Sequence, residues 1–96
     1  MLDQLTIQTE DKDTLRPLLT SAIDQEKKML ALGIERTRKH LAEFEQQYQM
    51  TSAEFESRLT SNQLEETLAF TDWRMELGIL RRLERQYQAL ENARLD

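Results

Sequence analysis

The chain is predicted to be all-α: an antiparallel helical hairpin of two long helices with a short capped helix in the connection, dimerising into a four-helix bundle. Three observations predict this. The 96 residues include only 2 Gly and 1 Pro, so tight turns are few and elements are long. Two apolar stripes with helical steps occupy most of the chain. Between them, Thr51 and Glu54 form the T-x-x-E signature with which one helix ends by starting another.

Residues 1–13 form an arm. In "QLTIQT", Leu5 and Ile7 alternate with polar neighbours, a short strand signal. So short a segment makes no sheet alone, so the arm is either irregular or paired with a partner chain.

The first long helix is expected over 14–49. Asp13 or Thr14 would cap it, and Pro17 falls in the first turn, where its missing N–H costs little. Ile23, Leu30, Ile34, Thr37, Leu41, Phe44 and Tyr48 make one stripe, with alternating steps of four and three from Leu30. A second stripe carries Leu15, Leu18, Leu19, Ala22, Met29 and Gly33. At 1.5 Å per residue such a helix is roughly 50 Å long.

The short helix is expected over 52–60. The Thr51 hydroxyl would accept from the N–H of Glu54, and the Glu54 carboxylate would reach back to the N–H of Thr51. Met50 and Phe55 flank this box as a hydrophobic staple. "TSNQ" then closes the helix, with Asn62 in the left-handed conformation. The last helix is expected over 71–94, capped by Thr71 or Asp72. Its stripe is Phe70, Trp73, Leu77, Leu80, Leu83, Tyr87 and Leu90, widened by Met75 and Ile79.

Folding the hairpin around residue 60 places positions summing to about 120 at one height. Gly33 then lies level with Tyr87, and Gly78 with Ala42. Each glycine either admits a close neighbour or is a tolerated surface residue. Two helices bury one face each, and both faces here are wide, which is the argument for a homodimer. Trp73, Phe70 and Tyr48 are expected to cluster where the connection folds over the hairpin end.

Composition narrows the function classes. Hydrophobic content of 39% with 32% charged suits a folded helical domain and not a disordered chain. No apolar run approaches the ~18 residues of a membrane span, so no membrane partner is expected. The start is acidic and does not resemble a signal peptide, and with 0 Cys redox chemistry marks no compartment; cytoplasmic is the default reading. A net charge of -5 makes nucleic-acid binding by the whole surface unlikely.

Enzymatic readings lack parts. The chain has 1 His, His40, and no Cys to act with it. His40 and Glu43 share a helix face, but a metal site takes three or four ligands. Gly33 and Gly78 stand alone inside helices, so no glycine-rich phosphate loop exists. No enzyme, cofactor or metal is expected. Charge is instead unevenly placed: Arg36, Arg38 and Lys39 fall level with Arg81, Arg82 and Arg85, while the arm and the connection are acidic. This belt is either a solvated face with local pairs such as Glu35–Lys39 or a docking zone for an acidic protein or RNA.

"FEQQYQMTSAEFESRL", followed by "LAFTDWRMELGIL", resembles a group of short all-helical bacterial, cyanobacterial and archaeal proteins. Their recurrent core is F-E-x-x-Y-x-M-[ST]-x-x-E-F. Phe44, Glu45, Tyr48, Met50, Thr51, Glu54 and Phe55 match it, with Phe70, Asp72 and Trp73 a looser second part. Many members carry Gly in the spacer where this chain has "TSNQLEE". The resemblance covers about half the chain. It implies an antitoxin-like small partner of a two-gene module. The expected function is therefore a protein–protein interaction module, a helical homodimer binding a small partner protein. The alternatives are an adaptor scaffold and weak nucleic-acid binding through the belt.

Overall fold

The computed structural model describes residues 3–95. Met1 and Leu2 of the arm, and Asp96, lie outside the described residues. Three helices follow in order: α1 over Lys12–Tyr48, α2 over Ser52–Thr60 and α3 over Leu68–Glu91. Residues 3–9 are neither helix nor strand, with Leu5 97% and Ile7 57% exposed.

Both long helices begin earlier than their sequence suggests. Asp11, not Asp13 or Thr14, caps α1: its Oδ1 accepts from the Thr14 amide at 3.1 Å and its Oδ2 from the Thr14 hydroxyl at 2.7 Å. Thr67, not Thr71 or Asp72, caps α3 by accepting from the Phe70 amide at 3.1 Å. Thr71 donates its hydroxyl to Glu66 Oε1 instead, at 2.6 Å. α3 also ends earlier, at Glu91 rather than 94, and α1 ends at Tyr48.

The turn into α2 needs no glycine. Gln49 takes a left-handed φ of 54°, and its amide and that of Met50 both donate to the Glu45 carbonyl. Thr51 Oγ1 accepts from the Glu54 amide at 3.0 Å. The return arm of the box differs from the sequence reading. Glu54 is drawn to Arg58 at 2.6 Å, and it is Glu45 Oε2, from the preceding helix, that accepts from the Ser52 amide at 2.7 Å. Asn62, with φ 61°, closes α2 as a Schellman turn: the Gln63 amide donates to Arg58 O and the Asn62 amide to Leu59 O.

α1 and α3 pack as an antiparallel hairpin. Lys27 meets Glu91, Gly33 meets Leu83, Arg38 meets Glu84 and Phe44 meets Trp73, each pair close to the register summing to about 120. α3 returns only as far as the level of Lys27, and the chain end then runs on until Leu95 O accepts from Arg16. The molecule is elongated, 58 × 26 × 18 Å.

The core sits at the connection end. Leu41, Phe55, Trp73 and Leu77 form its buried centre, packed round by Phe44, Tyr48, Met50, Leu59, Leu64, Phe70 and Leu80. Leu30 and Thr37 are buried farther along α1, and Ile34, Leu83, Tyr87 and Leu90 are half-buried. The Thr37 hydroxyl donates to Gly33 O at 2.8 Å, so this buried polar group is satisfied within its helix. Glycine behaves differently at its two positions. A Cβ on Gly33 would meet Leu83 Cδ1 at 3.3 Å, so that helix–helix contact is close, with Leu83 rather than Tyr87 as the neighbour. Around Gly78 nothing lies within 4 Å, so it is a surface glycine and no ring approaches it.

Candidate functional site

Two surfaces of the hairpin are built from more than one helix: a closed aromatic end and an open groove on the opposite side of the α1–α3 pair.

The closed end is organised by Trp73, fully buried. Phe55 of α2 stacks on it with centroids 4.0 Å apart and planes 1° from parallel, and Phe44 of α1 lies 5.5 Å away at 6°. Tyr48 and Phe70 complete the cluster, edge to face at 5.1 Å. The indole N–H donates to Ser52 Oγ at 3.0 Å, at the first residue of α2. These rings are packed against one another, and of them Phe44 also lines the neighbouring groove. They hold α2 on the hairpin; they are architecture.

The groove is different. Its walls are His40, Glu43, Phe44 and Gln47 of α1, and Asp72, Met75, Glu76 and Ile79 of α3, around a volume of about 320 Å³. α2 contributes nothing to it. Met75, 59% exposed, and half-buried Ile79 make the floor apolar, while Glu43, Asp72 and Glu76 rim it with carboxylates. His40 Nδ1 lies 3.5 Å from Glu76 Oε1, across the helices, so its partner is Glu76 and not Glu43. Among the described residues, no three His, Cys, Asp or Glu side chains are grouped to hold a metal ion. A second, more open depression of about 590 Å³, lined by Arg16, Pro17, Thr20, Asp24 and neighbours, lies along α1 alone.

By helical spacing the two faces that bear the groove extend beyond it. On α1, Met29, Gly33, Arg36, His40, Glu43 and Gln47 follow at steps of four and three, and on α3 Leu68, Asp72, Met75 and Ile79 do the same. Leu68 is 87% exposed and Met29 58%. This open face therefore carries large apolar side chains at both ends and an acidic band near its closed end.

The basic belt does not survive as one patch. Arg38 pairs with Glu84 at 2.9 Å, and Arg81 pairs with Glu56 of α2 at 2.5 Å, a bond that raises the Arg81 pKa further. Both thus face the α2 side or the helix seam. Arg36 lies one turn before His40, and Arg82 three residues beyond Ile79, on the groove stripe. Lys39 and Arg85 are exposed, and Glu35–Lys39 is not among the ion pairs of the described residues. The sequence places Glu84 among Glu35, Glu43 and the belt's basic residues, level with Arg38, but gives no height for Glu56, which α2 brings to Arg81. Glu45, Ser52, Glu56 and Glu76 were likewise given no role, and only Glu45 carried a signal, as part of the F-E-x-x-Y segment.

Lys27 at the far end has its charge held by Glu91 at 2.6 Å, which raises its pKa, and its ammonium stands 5.9 Å from the Tyr87 ring. Comparison with known protein families, with curated proteins and with solved structures yields no match for this chain. No helix among the described residues is long and apolar enough to cross a membrane.

Proposed function

We propose that the chain is a non-enzymatic protein–protein interaction module: a cytoplasmic helical homodimer, built as a four-helix bundle, that binds a small partner protein. One observation carries this reading. Among the described residues the helices leave Leu18, Met29, Leu32, Leu68 and Met75 largely exposed, beside Leu5 and Ile7 of the arm, against five buried hydrophobic residues. Exposed apolar side chains aligned on one face mark an interaction surface. The resemblance of residues 44–55 to antitoxin-like small proteins supports the partner half of the reading. So does the exposed arm, whose Leu5 and Ile7 are free to order on another chain.

Nucleic-acid binding through the belt is the weaker reading, since Arg38 and Arg81 are already held by Glu84 and Glu56. The test is copurification of the tagged chain with the product of the neighbouring gene, together with protection of cells that express that product. Failure to bind or protect counts against the partner reading. A native mass far above a small complex favours the scaffold alternative.

A further inference from the structure

The open face carries charges of both signs in two bands. The basic band is Arg36 and Arg82, level with each other beside the Gly33–Leu83 contact. The acidic band is Glu43, Asp72 and Glu76, level with Phe44 and Trp73. They are about seven residues apart on the helices, roughly 10 Å. A surface that is basic at one height and acidic at the next complements itself when turned end for end.

We propose that this open face is the homodimer interface, and that two copies pair antiparallel about a two-fold axis crossing the groove at the level of His40 and Ile79. The proposal rests on the homodimer reading above and deepens it by naming the face, the register and the occupant. That axis lies across both helices and sets α1 against α1 and α3 against α3, so Arg36 of each copy stands against Glu43 of the other, and Arg82 against Glu76 and Asp72. At the axis half-buried Ile79 of each copy meets the same residue of the other, and exposed Met75, one turn away, is covered by the partner.

The axis also falls at the midpoint of α3, so the whole 24-residue helix is used. A face roughly 36 Å long and 20 Å wide removes about 700 Å² per copy, or ~1,400 Å² in all, within the range of stable specific interfaces. α2 lies on the opposite side and lines no part of the groove, so it does not obstruct the approach.

The chain has no cysteine, which permits a direct test. One chain carries Ile79→Cys and another Met29→Cys, and each is oxidised alone. The expected result is a self-linked dimer of the Ile79→Cys chain, whose two thiols meet at the axis, and little self-linkage of the Met29→Cys chain, whose two thiols would stand roughly 30 Å apart. Sedimentation supplies the second arm. The unaltered chain should run at twice its 11.4 kDa, Arg36→Glu and Glu43→Arg should each weaken the dimer at least about tenfold, and the combined swap should restore it. A dimer whose Ile79→Cys form does not self-link and that ignores the charge swaps overturns this face and register while the homodimer reading stands. A monomer at tens of micromolar overturns both, and leaves the partner-protein reading to the copurification test.

Discussion

Trp73 and Ser52 are joined by a hydrogen bond of 3.0 Å that links the middle of the core to the first residue of α2. The indole is fully buried, so Ser52 is the group that prevents an orphaned donor there. Replacing it with alanine removes the acceptor and leaves the N–H dry. Ser52→Ala should cost about 1–3 kcal/mol in denaturant unfolding. In a Trp73→Phe background the same change should cost far less. Equal costs in both backgrounds would show that the bond carries no stability.

The two glycines should respond differently to alanine. Gly78 sits inside α3 with nothing within 4 Å of the added methyl, so Gly78→Ala should stabilise by about 0.5–1 kcal/mol. Gly33→Ala gains the same backbone term but presses on Leu83 Cδ1 at 3.3 Å. Its melting temperature should rise less or fall. Two equal rises would mean that the α1–α3 contact at Leu83 is loose.

Gln49 and Asn62 hold the left-handed turns that end α1 and α2, at φ 54° and 61°. An L side chain pays a steric cost there, and asparagine pays less than glutamine. Gln49→Gly should therefore stabilise by about 0.5–1 kcal/mol, and Asn62→Gly by a smaller amount, measured by thermal unfolding. The Gln49 amide bond to Gln46 O offsets part of that gain. A larger gain at Asn62 than at Gln49 would contradict the backbone account.

The first turn of α1 should respond to acid. Hydrogen bonds from the Thr14 hydroxyl and amide hold the Asp11 carboxyl below its ordinary 3.8. A carboxyl whose pKa is lower folded than unfolded contributes its stabilisation above the unfolded value and loses it as pH falls through the folded one. The start of α1 should thus fray below about pH 4, read as loss of helical chemical shifts at Asp13–Arg16. Asp11→Ala should show that fraying at neutral pH. A first turn indifferent to both would remove Asp11 as the cap.

The legible part of the fold is its local part. Apolar steps of three and four announce helices, and a Thr with Glu three residues on announces a cap, because these devices act within one turn. Helix starts were harder where several candidates crowd together. Asp11, Asp13 and Thr14 compete at one end of α1, and Thr67, Thr71 and Asp72 compete at α3. There the choice is made by tertiary packing, since Phe70 must reach the Trp73 cluster from inside the helix. The charges were least legible. Arg81 and Arg38 look like neighbours of Arg82 and Arg36 in the sequence, yet helical rotation of ~100° per residue sends them to other sides. Glu84 lies within the hairpin register opposite Arg38, whereas Glu56 comes from α2, whose placement no spacing rule gives.

The aromatic end has a kinetic consequence. Every member of that core lies between Leu41 and Leu80, so its contacts close short stretches of chain, while the Arg16–Leu95 contact closes nearly all of it. Loop entropy favours the short closures, and folding should start at the α2 end and zip toward Lys12. Opening should run the other way. Amides near Lys12–Glu26 should exchange with solvent first, and those around Trp73 last, making α1 a rod anchored at one end.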